Sequence, residues 1–113
     1  MTALYEETAV CGLDALQPNR GVAALLPDGT QVAVFRTGDD EVFALSNVDP
    51  FSGAAVLSRG IVGDRSGVQV AVSPVYKQAF DLRTGVCVDD PSVSVRTFAV
   101  RVDADGTILV NTG

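Results

Sequence analysis

From residue 21 onward the chain alternates short apolar runs with clusters of turn-forming residues. Residues 21–26 and 31–36 flank Pro27, Asp28, Gly29 and Thr30, a hairpin turn in which the glycine supplies positive φ. A further run, 41–46, follows Thr37, Gly38, Asp39 and Asp40. Within 67–73, Val68, Val70 and Val72 alternate with Gln69, Ala71 and Ser73, the period of a half-buried strand. The same alternation runs through 96–102, with Phe98, Val100 and Val102 on one face. That strand ends at Asp103, Ala104, Asp105 and Gly106, read as a hairpin turn, and 107–110 returns as the last strand. No twelve-residue window carries a 3.6 period; Leu13 to Leu16 make at most one helical turn before Pro18. No repeat, linker or low-complexity tract breaks residues 1–113, so a single all-β domain is expected, an antiparallel sandwich or barrel.

Composition strengthens that reading and removes much chemistry. Nineteen of the 113 residues are valine, whose β-branched side chain fits a pleated surface better than a helix. Histidine is absent, Lys77 is the only lysine, and Cys11 and Cys87 are the only cysteines. A Ser-His-Asp or Cys-His nucleophile is therefore excluded, as is a zinc site built on histidine or on three or four cysteines. The net charge of −6 argues against nucleic acid and anionic membrane surfaces, whose phosphates need clustered Lys and Arg. Residues 1–7 carry two acids and no basic region, and no apolar run nears the ~18 residues of a membrane span. A cytoplasmic protein with two buried thiols is the expectation.

Two stretches break the hairpin rhythm. Residues 47–60 are too long for a tight turn and too apolar for an ordinary loop; residues 73–91 begin Ser73, Pro74, Val75, Tyr76, Lys77 and include a short strand over 86–88. Long ordered loops in a compact β domain are usually functional. These two resemble the cluster-binding loops of Rieske-type iron–sulfur domains. There the first loop reads Cys-x-His-x-Gly and then Leu and Gly. The second reads Cys-Pro-x-His-Gly, followed by Phe-Asp-x-x-Thr-Gly. In this chain Asp49, Pro50, Phe51, Ser52 and Gly53 lead on to Leu57 and Gly60. Ser73, Pro74, Val75, Tyr76 and Lys77 lead on to Phe80, Asp81, Leu82, Arg83, Thr84 and Gly85. The resemblance implies a Rieske-like fold with loops 47–60 and 73–85 at one tip.

The ligand positions depart from the pattern. Asp49, Phe51, Ser73 and Tyr76 stand where two thiolates and two imidazoles hold a two-iron cluster. No cofactor is therefore expected in this chain, and a hard metal is disfavoured because Asp49 is the only carboxylate of the set. The expected role is loop packing: Phe51 and Tyr76 filling the vacated volume, Asp49 and Ser73 hydrogen-bonding loop amides. The same departures resemble one subgroup, the small subunits of assimilatory NAD(P)H-dependent nitrite reductase. That resemblance implies an accessory role beside a large catalytic subunit, which carries flavin, an iron–sulfur cluster and siroheme and reduces nitrite to ammonium. Phe51, Tyr76 and Lys77 are the candidate partner-binding residues, with no catalytic residue expected. The alternative is a stand-alone Rieske-like β module that binds another protein or ligand.

Overall fold

The computed structural model describes residues 7–111, which form ten strands paired antiparallel throughout. The expectation about a leader in residues 1–7 falls almost wholly outside that range. The strands are β1 Glu7–Gly12, β2 Arg20–Leu25, β3 Gln31–Arg36, β4 Val42–Ser46 and β5 Ile61–Arg65. They continue with β6 Val68–Val72, β7 Ala79–Asp81, β8 Thr97–Phe98, β9 Val100–Val102 and β10 Thr107–Asn111. Seven form a curled sheet in the order β7-β6-β5-β2-β3-β4-β8; β1, β10 and β9 form a second.

Strand β3 explains the architecture. Its run Val32, Ala33, Val34, Phe35 is apolar at every position, the signature of a strand covered on both faces, and all four are completely buried. Val32 and Val34 point into a core with Leu16, Leu26, Ala44, Phe98, Ile108 and Val110. Ala33 and Phe35 point the other way, into a core with Leu45, Leu57, Phe80 and Leu82 beneath the two long loops. Both thiols are free, but only Cys87, in the second core, is buried as expected; Cys11 is half-buried against the first.

The hairpin turns at 27–30 and 103–106 form as expected. Asp28 Oδ1 accepts the Thr30 amide at 2.9 Å, and Asp103 Oδ1 accepts those of Asp105 and Thr107 at 2.9 and 3.0 Å. Leu13–Ala15 is one 3-10 turn. Three expectations need correction. The strand read over 96–102 divides at Ala99, where the chain passes from the seven-stranded sheet to the other. Residues 86–88 make only isolated bridges, Val86 to Ser94 and Cys87 to Phe80. Strands β1, β5 and β7 and a 3-10 turn at Leu57–Arg59 add to the elements read from the pattern.

The sheet also sets where the long loops lie. Strand β5 meets β2 at one pair, Arg20 with Ile61, and then runs away from it. The loop ends of β4 (Ser46) and β6 (Val72) thus lead to residues 47–60 and 73–78. Their other ends lead to the tight turns 37–41 and 66–67. Gly60 lets the first loop close on β6, since a Cβ there would collide with the Val72 carbonyl.

Candidate functional site

The first loop is built around Asn47, which is buried. Its Oδ1 accepts the Ser58 amide at 2.7 Å, its carbonyl accepts the Leu57 amide at 3.0 Å, and its Nδ2 donates to the Ala55 carbonyl at 3.3 Å. One side chain thus closes eleven residues of chain on itself. Asp49 begins a tight turn at the tip: its amide donates to the Ala54 carbonyl, and its own carbonyl accepts the Gly53 amide at 2.7 Å. In the second loop the Ser73 amide donates to the Gln78 carbonyl, and its carbonyl accepts the Lys77 amide at 3.1 Å.

The two loops meet through Asp49 and Ser73, both fully buried. Ser73 Oγ donates to Asp49 Oδ2 at 2.6 Å, a charge-assisted length. The other carboxylate oxygen accepts the Phe51 amide at 2.8 Å, and Ser73 Oγ accepts the Val75 amide at 3.3 Å. Asp49 and Ser73 therefore bond loop amides as their residue types predict, and they also bond each other. Phe51 is half-buried with its ring centroid 6.1 Å from that of Phe80, so it packs on the lower core. Tyr76 does not fill that volume: it is 59% exposed. Lys77 is exposed beside it, its Nζ reaching only the Pro74 carbonyl at 3.3 Å.

These residues do not fit a two-iron cluster. Neither thiolate nor imidazole is present, and the Asp49 and Ser73 oxygens are already committed to each other. Phe51 has no donor atom and turns toward Phe80. Among the described residues no group of three or more His, Cys, Asp or Glu is placed to hold a metal ion.

Behind the second loop the Phe80 to Gly85 segment is a turn. Asp81 Oδ1 accepts the Arg83 amide, Thr84 Oγ1 accepts the Val86 amide, and the Gly85 amide reaches the Asp81 carbonyl at 2.7 Å. Gly85 has φ +78°, and a Cβ there would strike the Val95 carbonyl. The Arg83 side chain bonds Glu41 at 3.1 Å and lies 5.2 Å over the Phe43 ring.

Asp89 has a sharper place than a solvated turn charge. Its Oδ2 accepts the amide of Ala79, the residue after the second loop, and its Oδ1 accepts Arg65 Nη1. Those two donors, the amide foremost, hold its carboxyl below the usual range. At the far end of β4 and β6 lies a groove of about 610 Å³, lined by Asp39, Glu41, Asp64, Gln69, Asp81 and Arg83.

No spacing rule finds the Asp49–Ser73 pair, because 24 residues separate its members. Only the resemblance does, since both stand at positions that share one iron in a Rieske centre. Asn47 was signalled only as the end of the 44–47 run that resembles the strand leading into such loops, and Asp89 only as a turn charge; neither hydrogen-bonding role was legible.

Comparison with known proteins covers nearly the whole of the chain. The family described as the Rieske-like [2Fe-2S] domain matches residues 7–111. The nitrite reductase (NADH) small subunit of Escherichia coli K12 is 44% identical over 100 residues, 88% of this chain and 91% of that one. The crystal structure of a protein provisionally described as the NADH-dependent nitrite reductase small subunit of Mycobacterium tuberculosis superposes with a TM-score of 0.94. It is 53% identical, with 98% of each chain covered. A stretch of the Klebsiella oxytoca nitrite reductase [NAD(P)H] large subunit is also 44% identical, over 84% of this chain but only 10% of that one. The family match over residues 7–111, the identity to the Escherichia coli chain and the superposition on the Mycobacterium tuberculosis chain agree with the Rieske-like frame of the two loops. The chain belongs to the Rieske-like [2Fe-2S] domain family and, within it, to the family of nitrite reductase (NADH) small subunits.

Proposed function

We propose that this chain is the accessory small subunit of an NAD(P)H-dependent nitrite reductase, which reduces nitrite to ammonium during nitrate assimilation in the cytoplasm. The observation that carries the reading is the 44% identity to the Escherichia coli small subunit across nearly the whole of both chains. The Klebsiella oxytoca large subunit, with a matching stretch inside its own polypeptide, supports joint action of the two parts. In this reading the large subunit supplies flavin, siroheme and an iron–sulfur cluster. This chain carries no cluster and acts by docking, with Phe51, Tyr76 and Lys77 on the docking loops. Of these, Tyr76 and Lys77 are the exposed side chains, while Phe51 packs against Phe80 and the core beneath the loops.

Co-expression with a nitrite reductase large subunit from the same genome, followed by affinity capture and a nitrite-dependent NAD(P)H oxidation assay, tests the assignment. The expected result is a retained complex whose turnover exceeds that of the large subunit alone. The isolated chain, expressed anaerobically with iron and sulfide, is expected to be colourless and free of stoichiometric iron and acid-labile sulfide. Charge-transfer bands in its visible spectrum would overturn the clusterless reading.

A further inference from the structure

The two loops at the tip differ in charge from the rest of the chain. On residues 47–60 and 73–78 the only carboxylate, Asp49, is fully buried and bonded to Ser73, and Asp89, which meets the second loop at Ala79, is paired with Arg65. The exposed charges on residues 47–60 and 73–78 are Arg59 and Lys77, in a chain of net charge −6. Among the described residues neither forms an ion pair. Val48 (41% exposed), Val75 (43%) and Tyr76 (59%) give the same loops an apolar surface. The Asp49–Ser73 bond holds that surface together, because Val48 and Val75 lie one and two residues from its ends. The opposite ends of β4 and β6 carry the reverse charge. There the groove gathers Asp39, Glu41, Asp64 and Asp81 against one cation, Arg83, already bonded to Glu41.

Lys77 adds a second observation. Its φ is +64°, a conformation open to glycine without strain and uncommon for a long side chain. Its ammonium gains only the nearby Pro74 carbonyl in return. Asn19, Asp40 and Ser66 share that conformation in turns, so it marks Lys77 as the residue that closes its turn and holds the ammonium on the exposed side of the loop.

We infer that the tip seats on an apolar patch of the large subunit rimmed by carboxylates, with Arg59 and Lys77 facing that rim and the acidic groove turned away. The inference rests on the docking reading above and gives it a direction. Opposite charges draw the tip in, and like charges keep the groove end out, so the chain's own asymmetry orients the encounter.

Association of the full chain with the large subunit, measured at low and moderate ionic strength, tests this. Lys77→Glu and Arg59→Glu are each expected to weaken binding at least tenfold, and added salt to slow wild-type association. Lys77→Gly is expected to weaken binding while melting no lower than wild type, since it relieves the backbone; that separates a binding role from a folding one. Asp39→Asn with Asp64→Asn is expected to associate as fast as wild type or faster. Slower association of that double variant, or unchanged affinity of both charge reversals, overturns the orientation and moves the interface to the groove end. Failure of the wild-type chain to bind at all overturns the docking reading instead.

Discussion

Asp49 and Ser73 illustrate what a buried polar pair demands. A carboxylate out of water costs several kcal/mol unless its lone pairs are met. Here the Phe51 amide and the Ser73 hydroxyl meet both oxygens. Ser73→Ala leaves Asp49 Oδ2 without its short bond and is expected to cost about 1–3 kcal/mol in urea denaturation. Asp49→Ala is expected to cost less in the Ser73→Ala background than in wild type, the non-additivity of a direct partnership. Additive losses would mean that each residue bonds only its own loop. Half of this site was legible beforehand. Asp and Ser favour bonds to amides two residues on, and both make them. That Tyr76 points outward was not legible, because an aromatic residue in a loop suits a vacated volume and a contact surface equally well.

At the scale of elements, the second loop is held at its exit by Asp89, on a different segment. Its carboxyl titrates below the ordinary range in the folded chain, so it contributes stability above that range and loses it as pH falls through the ordinary value toward the folded one. The protection factor of the Ala79 amide, its exchange rate referred to the intrinsic rate at each pH, is expected to fall across that acidic window, and Asp89→Asn to flatten the dependence. The elements that escaped the sequence pattern did so for separate physical reasons. Strand β1 carries a bulge between Ala9 and Cys11, which breaks its alternation. Strand β5 has Gly63 at its centre, and β7 is three residues long inside an apparent loop. The 96–102 strand kept its period of two across Ala99 although the two halves pair in different sheets. Alternation reports which face a side chain takes, not which sheet the strand joins.

For the whole molecule, β3 makes two cores into one folding unit, because adjacent residues Val34 and Phe35 enter different ones. Phe35→Ala is expected to cost about 3–5 kcal/mol and Val34→Ala about 1.5 kcal/mol. Both should move the midpoint of a single unfolding transition, followed by circular dichroism and by methyl resonances from each core. Two separate midpoints would show that the cores melt independently. The all-β class was legible from valine content and turn spacing, whereas the sharing of β3 emerges only once both its faces are seen covered. The register of β1 on β10 has a further consequence. Glu7 lies opposite Asn111, on the sheet that does not carry the long loops. A linker leaving either point would tether the domain from that sheet, with the loops still able to swing toward a neighbour. In the Klebsiella oxytoca chain, where the matching stretch is covalently part of the large subunit, such a tether fixes a high effective concentration and little affinity is needed to keep the parts together. Where no linker joins the two parts, the contact surface alone would have to supply the residence time that a tether gives.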